Sequence, residues 1–190
     1  MGGAPQRGAE RAAIWGETLT PRAKSYWTPE GIVDADRMCL YGFSSGSGVV
    51  NYLVTRTGRF KCAVSVAPAL SDWIRRALFE TNASWVSDWA GVSLWDDPAA
   101  YVKLSAVYRT HLVTTPMPLA VGDHDIDCLL DSIEMYNGLR VAGREVTLLR
   151  YPGQGHGFSG EALHDFWQRE TAFFSSYLNL PPSTPNGERH

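Results

Sequence analysis

Four short apolar runs punctuate the chain: Met38 to Tyr41, Cys62 to Ala67, Pro118 to Val121 and Val146 to Tyr151. Each is of strand length and nearly continuous, as expected of strands covered on both faces. Between and after them the apolar spacing becomes helical. Val49, Val50, Leu53 and Val54 share one face of a segment that the spacing carries towards Gly58. Leu129, Ile133 and Tyr136 repeat at helical intervals towards Gly143, and Leu163, Phe166, Trp167, Phe173, Phe174, Tyr177 and Leu178 do so near the end. Glycine just past a periodic stretch is a favoured helix stop. Strand and helix in alternation predict an α/β fold with a mostly parallel sheet and right-handed crossovers.

Two regions break this rhythm. Residues 68–117 separate the second and third strands and carry Trp73, Phe79, Trp85, Trp89, Trp95, Tyr101 and Tyr108. An insertion of that length predicts short helices over a site, its rings serving mainly as core and lid packing. The run Pro181 to His190 reads as a disordered tail. No internal repeat is present.

Composition narrows the class. The 190 residues are 44% hydrophobic and 19% charged, which fits a globular chain with one ordinary core. Seventeen basic and twenty acidic residues give a net charge of −3, and the basic residues are scattered, so nucleic-acid binding is disfavoured. No apolar run approaches membrane-helix length, and Met1 to Gly8 has no secretory apolar core, so the expectation is a cytoplasmic protein without membrane contact. Cys39, Cys62 and Cys128 are odd in number, far apart and set in apolar surroundings, which predicts reduced thiols rather than a disulfide or zinc site.

The chemistry-bearing motif follows the first strand. Gly42-Phe43-Ser44-Ser45-Gly46 lies between a strand and a helix, the setting in which a sharp turn with small neighbours lifts a serine Oγ clear of the backbone. The helix N-terminus that follows favours negative charge beside that oxygen. A serine nucleophile needs a base, and the base an orienting carboxylate. Gly122-Asp123-His124-Asp125 supplies a carboxylate after the third strand, and Gly153-Gln154-Gly155-His156-Gly157-Phe158 a histidine after the fourth. The order Ser44, Asp125, His156 is that of α/β-hydrolases, and all three loops open on the carboxyl edge of a parallel sheet.

From Val33 to Leu178 the sequence resembles the catalytic domain of the prolyl oligopeptidase family of serine peptidases, which are α/β-hydrolases related to dienelactone hydrolases. Asp34-Ala35-Asp36-Arg37 is similar to the family's Asp-Pro-x-Arg lead-in, and Arg59-Phe60-Lys61-Cys62-Ala63-Val64 to its opening of the next strand. The turn 122–125 fits its Gly-x-x-Asp acid turn, selecting Asp125, and Tyr151 to Phe158 resembles its histidine loop. The resemblance implies Ser44 as nucleophile, His156 as general base and then acid, Asp125 as orienter, and the backbone N–H of Ser45 as an oxyanion donor.

There are departures. Many members carry Tyr-Gly-Gly after the nucleophile, where this chain has Ser45-Gly46-Ser47. The family's sheet has several strands before the nucleophile strand, and its second oxyanion donor lies near an early His-Gly-Gly-Pro motif to which Gly2-Gly3-Ala4-Pro5 is only faintly similar. The resemblance therefore implies that residues 1–180 are a partial α/β-hydrolase catalytic domain, either a fragment or a shortened descendant, without the amino-terminal strands. Met38 to Tyr41 would then present an apolar sheet edge that seeks a homodimer or another partner, unless Ile14, Trp15, Tyr26 and Trp27 lie across it.

Rival motifs are weaker. Asp123, Asp125, Asp127, Asp131 and Glu134 occupy positions of a calcium loop, but Cys128 stands where its glycine belongs and a strand precedes it, so no metal is expected. Gly46-Ser47-Gly48-Val49-Val50-Asn51 half matches a dinucleotide loop, but Asn51 replaces its last glycine, so no cofactor is expected either. His111, His124, His164 and His190 read as surface or capping groups, and Cys128 is the thiol to watch for reactivity. Three functions stay open: a serine peptidase acting on short peptides, a carboxylesterase on the same residues, and a non-catalytic remnant acting by association.

Overall fold

The computed structural model describes residues 34, 36–81 and 84–179. Val33 and Ala35 of the lead-in, the side chains suggested to blunt the edge, His190 and the 181–190 tail lie outside the described residues.

Among the described residues four parallel strands form one sheet in the order of the chain: β1 (Cys39–Phe43), β2 (Cys62–Val66), β3 (Met117–Gly122) and β4 (Val146–Tyr151). The helices of the described residues are α1 (Ser45–Val54), α2 (Trp73–Phe79), α3 (Ser84–Ala90), α4 (Pro98–Leu104), α5 (Ile126–Val141) and α6 (Gly160–Leu178), with a 3-10 turn at Val107–Leu112. This is the alternation read from the apolar runs.

Strand periodicity assigns the faces. Ala63, Met117 and Leu119 cluster with Val50 and Val54 of α1 and with Met135 and Leu139 of α5. The intervening Val64, Val66 and Ala120 turn the other way, onto Phe166, Phe173 and Phe174 of α6. β2 and β3 are buried along their whole length, as continuous apolar runs require. β1 and β4 are not: both alternate with exposed positions, because among the described residues each has a strand on one side only. The expectation that all four strands are covered on both faces thus holds for the central pair alone.

The cysteine expectation needs correcting. Cys39 and Cys62 are register partners in β1 and β2, their Cα atoms 4.8 Å apart, and they are joined in a disulfide. The 23-residue separation that made them look unrelated is one strand–helix–strand crossover, which brings both to the start of adjacent strands. Cys128 is the free, buried thiol. The pairing overturns the expectation of reduced thiols at Cys39 and Cys62. Among the described residues no helix is long and apolar enough to cross a membrane.

The insertion folds as expected into short helices. Val86, Ala90, Leu94 and Tyr101 form a small core of their own with Trp73, Ile74 and Trp85 packed against it, so these rings are structural. Phe79 and Trp95 remain largely exposed. α2 and α4 start on Asp72 and Asp97, whose carboxylates accept backbone N–H groups of their first turns. α1 ends at Val54, short of Gly58, because Thr55 already closes the helix through its backbone N–H and its hydroxyl, both donated to Tyr52 O.

Candidate active site

Three strand ends converge. At the end of β1 the chain reverses through Ser44, whose φ of 57° and ψ of −124° place a non-glycine residue in left-handed, strained backbone. The turn is held by Ser44 N–H donating to Val66 O at 2.9 Å. Ser47 braces it from below: its buried hydroxyl accepts Val66 N–H at 3.0 Å and lies 2.7 Å from Gly42 O and 2.5 Å from Val66 O, one of which takes its proton. The argument for small neighbours holds at Gly42, where a Cβ would stand 2.4 Å from Gly46 O. It does not hold at Gly46, where a Cβ would meet nothing. Gly48, one turn on, is the second forced position, because a Cβ there would lie 2.3 Å from Ala69 O.

At the end of β3, Asp125 serves as N-cap of α5, with Oδ1 accepting Cys128 N–H at 3.4 Å. Its Oδ2 is 2.6 Å from His156 Nδ1. At the end of β4, Gly153 has a φ of 73° and donates its N–H to Asp123 Oδ1 at 2.7 Å, while Gln154 O accepts His124 N–H. The histidine loop is thereby laced to the acid turn. Gly122 makes that approach feasible: a Cβ there would fall 2.3 Å from the carbonyl oxygens of both Gln154 and Gly155.

His156 bridges the other two loops, its Nε2 2.8 Å from Ser44 Oγ. An ionised carboxylate can only accept, so Nδ1 carries the ring proton and Nε2 is left to accept from the serine hydroxyl. The imidazole is half exposed and the Asp125 carboxylate largely buried. Phe43 meets the ring edge-on with centroids 5.0 Å apart, steadying its plane. Ser45 is the first residue of α1, at a helix end whose leading N–H groups lack intrahelical acceptors.

Ser44, Asp125 and His156 thus stand together with Ser45 beside them, while the rival readings scatter. Of the calcium-loop carboxylates, Asp123 is on the Gly153 N–H, Asp127 on Arg76, Asp131 on Arg75 and the Ser71 N–H, and Glu134 on Arg75. β3, not a helix, precedes them. His124 is exposed beside Asp123, and His164 contacts Gln168 on the outer face of α6.

Sequence reading missed several partners. Ser47 and Phe43 carry no signal of their own, though each stands within three residues of Ser44, and Gly122, read only as the glycine of the acid turn, is also the position that lets the histidine loop approach. Cys128 lies 3.8 Å from His156 Nδ1, and burial beside Asp125 pushes its thiol well above the ordinary range, so it stays a neutral S–H. Behind the site, Ser71 ties two helices together. Its N–H donates to the Asp131 carboxylate of α5, and its hydroxyl accepts from Asn51 of α1 at 2.8 Å.

The parallel sheet with helices on both faces, and a serine raised on a strained turn at a strand's carboxyl end, define the α/β-hydrolase fold. Among solved structures the fold matches a Pyrococcus horikoshii acylaminoacyl peptidase at 22% identity and TM-score 0.73, covering 86% of this chain and 28% of that one. It also matches a Mycobacterium tuberculosis puromycin-hydrolyzing peptidase at 22% identity and TM-score 0.75, covering 85% and 25%. Residues 22–181 match the prolyl oligopeptidase family, and the chain belongs to it. Among curated proteins it is similar to the uncharacterized peptidase YuxL of Bacillus subtilis, 27% identical over 67% of this chain. It is likewise 27% identical to human prolyl endopeptidase FAP, over 79% of this chain. It spans 20% of the length of each of these two relatives.

Proposed function

We propose that the chain provides the nucleophile, base and orienting acid of a serine peptidase that cleaves short peptides through an acyl-enzyme. The observation that carries this reading is the unbroken relay from Ser44 Oγ to His156 Nε2 at 2.8 Å and from Nδ1 to Asp125 Oδ2 at 2.6 Å. Membership of the family and likeness to curated peptidases support amide rather than ester substrates.

In this reading Ser44 Oγ attacks the scissile carbonyl carbon while its proton passes to His156 Nε2. Asp125 keeps the ring in the tautomer that can accept and stabilises the imidazolium. The oxyanion forms at the start of α1, where Ser45 N–H and the helix dipole favour it. Nε2 then gives its proton to the departing amine, leaving an ester on Ser44. Water, deprotonated by the same nitrogen, attacks that ester, releasing the acid and restoring the serine.

Ser45 is one oxyanion donor, and among the described residues β1 has a strand on one side only, so this reading includes a partner that pairs with the edge and adds the second donor. The test is a fluorophosphonate probe. Ser44 should be the residue modified, Ser44→Ala should abolish labelling, and His156→Ala should nearly do so. An adduct on Ser45 or Ser47, or none on folded protein, would overturn the proposal. A matched amide and ester panel then decides between peptidase and esterase.

A further inference from the structure

Asp125, Cys128 and His156 bring a carboxylate oxygen, a thiol sulfur and an imidazole nitrogen within 4.8 Å of one another, a donor set the hydrolytic relay does not need in full. Cys128 is left over: buried, without a disulfide partner, and lying against the ring nitrogen that faces Asp125. We propose that these three side chains form an inhibitory site for Zn2+ on the inner edge of the histidine, built on the Ser44–His156–Asp125 relay proposed above.

Three protein ligands of mixed sulfur, nitrogen and oxygen type with an open fourth position suit zinc and not the hard cations, which want oxygen alone. Tetrahedral zinc with ordinary bond lengths sets its ligand atoms about 3.4 to 3.6 Å apart. Cys128 Sγ, at 3.8 Å from Nδ1, is almost placed. The Nδ1 to Oδ2 separation of 2.6 Å must open, and the loop that carries His156 is flanked by Gly153, Gly155 and Gly157, where backbone can shift at low cost. One thiolate and one carboxylate neutralise the dication, so the occupied pocket carries no net charge.

Binding stops the relay by a definite route. The Cys128 thiol gives its proton to solvent and the sulfur bonds the metal. Nδ1 uses its lone pair on the metal, so the single proton of the neutral ring moves to Nε2. A protonated Nε2 cannot take the Ser44 proton, and Asp125 no longer orients the ring. Cys128 itself is not part of the hydrolytic relay, so a chain without it keeps its metal-free activity.

Two readouts on the oxidised, full-length chain separate this inference from the hydrolase reading. Co2+ as a zinc substitute should give a near-ultraviolet thiolate charge-transfer band in the wild type and none in Cys128→Val, whether or not the protein hydrolyses anything. Zn2+ should block fluorophosphonate labelling of Ser44, EDTA should restore it, and Ca2+ at equal concentration should have no effect. Cys128→Val should label normally without metal and tolerate at least ~10-fold more Zn2+; Cys128→Ser serves if the valine variant misfolds. Equal zinc sensitivity in the cysteine variants, or no charge-transfer band in the wild type, overturns the site. A band without any metal-free labelling would leave the site standing and remove the hydrolase reading instead.

Discussion

Asparagine in place of Asp125 separates two tasks that one side chain performs. Its Oδ1 still accepts the Cys128 N–H and caps α5, but an amide in place of Oδ2 presents a donor to Nδ1 and favours the tautomer with its proton on Nε2. Turnover of Asp125→Asn should fall on the order of 10⁴-fold, with the melting temperature nearly unchanged. A small loss of rate would show that Asp125 does not orient His156. Gly122→Ala should damage both properties, since its Cβ must displace the carbonyls of Gln154 and Gly155 and, with them, the histidine loop. Circular dichroism melts alongside labelling rates check this; wild-type values for both would contradict the close approach. The convergence of Ser44, Asp125 and His156 was legible because each lies within three residues of a glycine in a loop after a strand and because their chain order points to one arrangement of nucleophile, acid and base. Ser47 and Phe43 were not, because neither occupies a position whose residue type the motif specifies; Cys128 was noticed as a thiol, but its contact with His156 depends on how the loop after β4 meets α5, which no local spacing encodes.

At the level of elements, the support behind the site is a buried polar joint. Asp131 of α5 accepts the Ser71 N–H, Asn51 of α1 reaches the Ser71 hydroxyl, and Arg75 of α2 faces Asp131 at 3.5 Å and Glu134 at 2.9 Å. Burial is the largest influence on Asp131, and it pushes the carboxyl up to about 7 against the attraction of Arg75 and the Ser71 bond. The folded chain therefore holds a proton there that the unfolded chain, with an ordinary carboxyl near 3.8, has already lost. Stability from this group is full below about pH 4 and declines as pH rises towards about 7. Asp131→Asn cannot ionise, so its stability relative to wild type should improve across that interval by on the order of a few kcal/mol. Chemical denaturation at several pH values measures it, and a pH-independent difference would mean that Asp131 is as ionised in the fold as outside it. The elements themselves were readable: β4 lies where the apolar run predicts, and β2 and β3 differ from prediction by a residue or so at their ends. Hidden were the contacts between them, including the Cys39–Cys62 pairing, since register across a crossover is a tertiary fact.

For the whole molecule the open question of assembly sits at β1. Among the described residues this strand pairs with β2 alone, and Tyr41 and Phe43 on it are about half exposed, at 53% and 43%. A strand edge with large apolar side chains is a template for another strand. In the proposed function that strand belongs to a partner, which also adds an oxyanion donor whose loss typically costs on the order of 10² to 10³ in rate. The purified chain should accordingly scatter light as a dimer or larger species and turn over slowly. Tyr41→Lys, which places a charge on the exposed strand, should shift it towards monomer without restoring rate. Adding the amino-terminal part of a longer relative's domain should raise turnover in the wild type more than in the lysine variant. A monodisperse wild-type monomer with turnover equal to that of a longer relative would mean that residues outside those described already cover the edge and supply the donor.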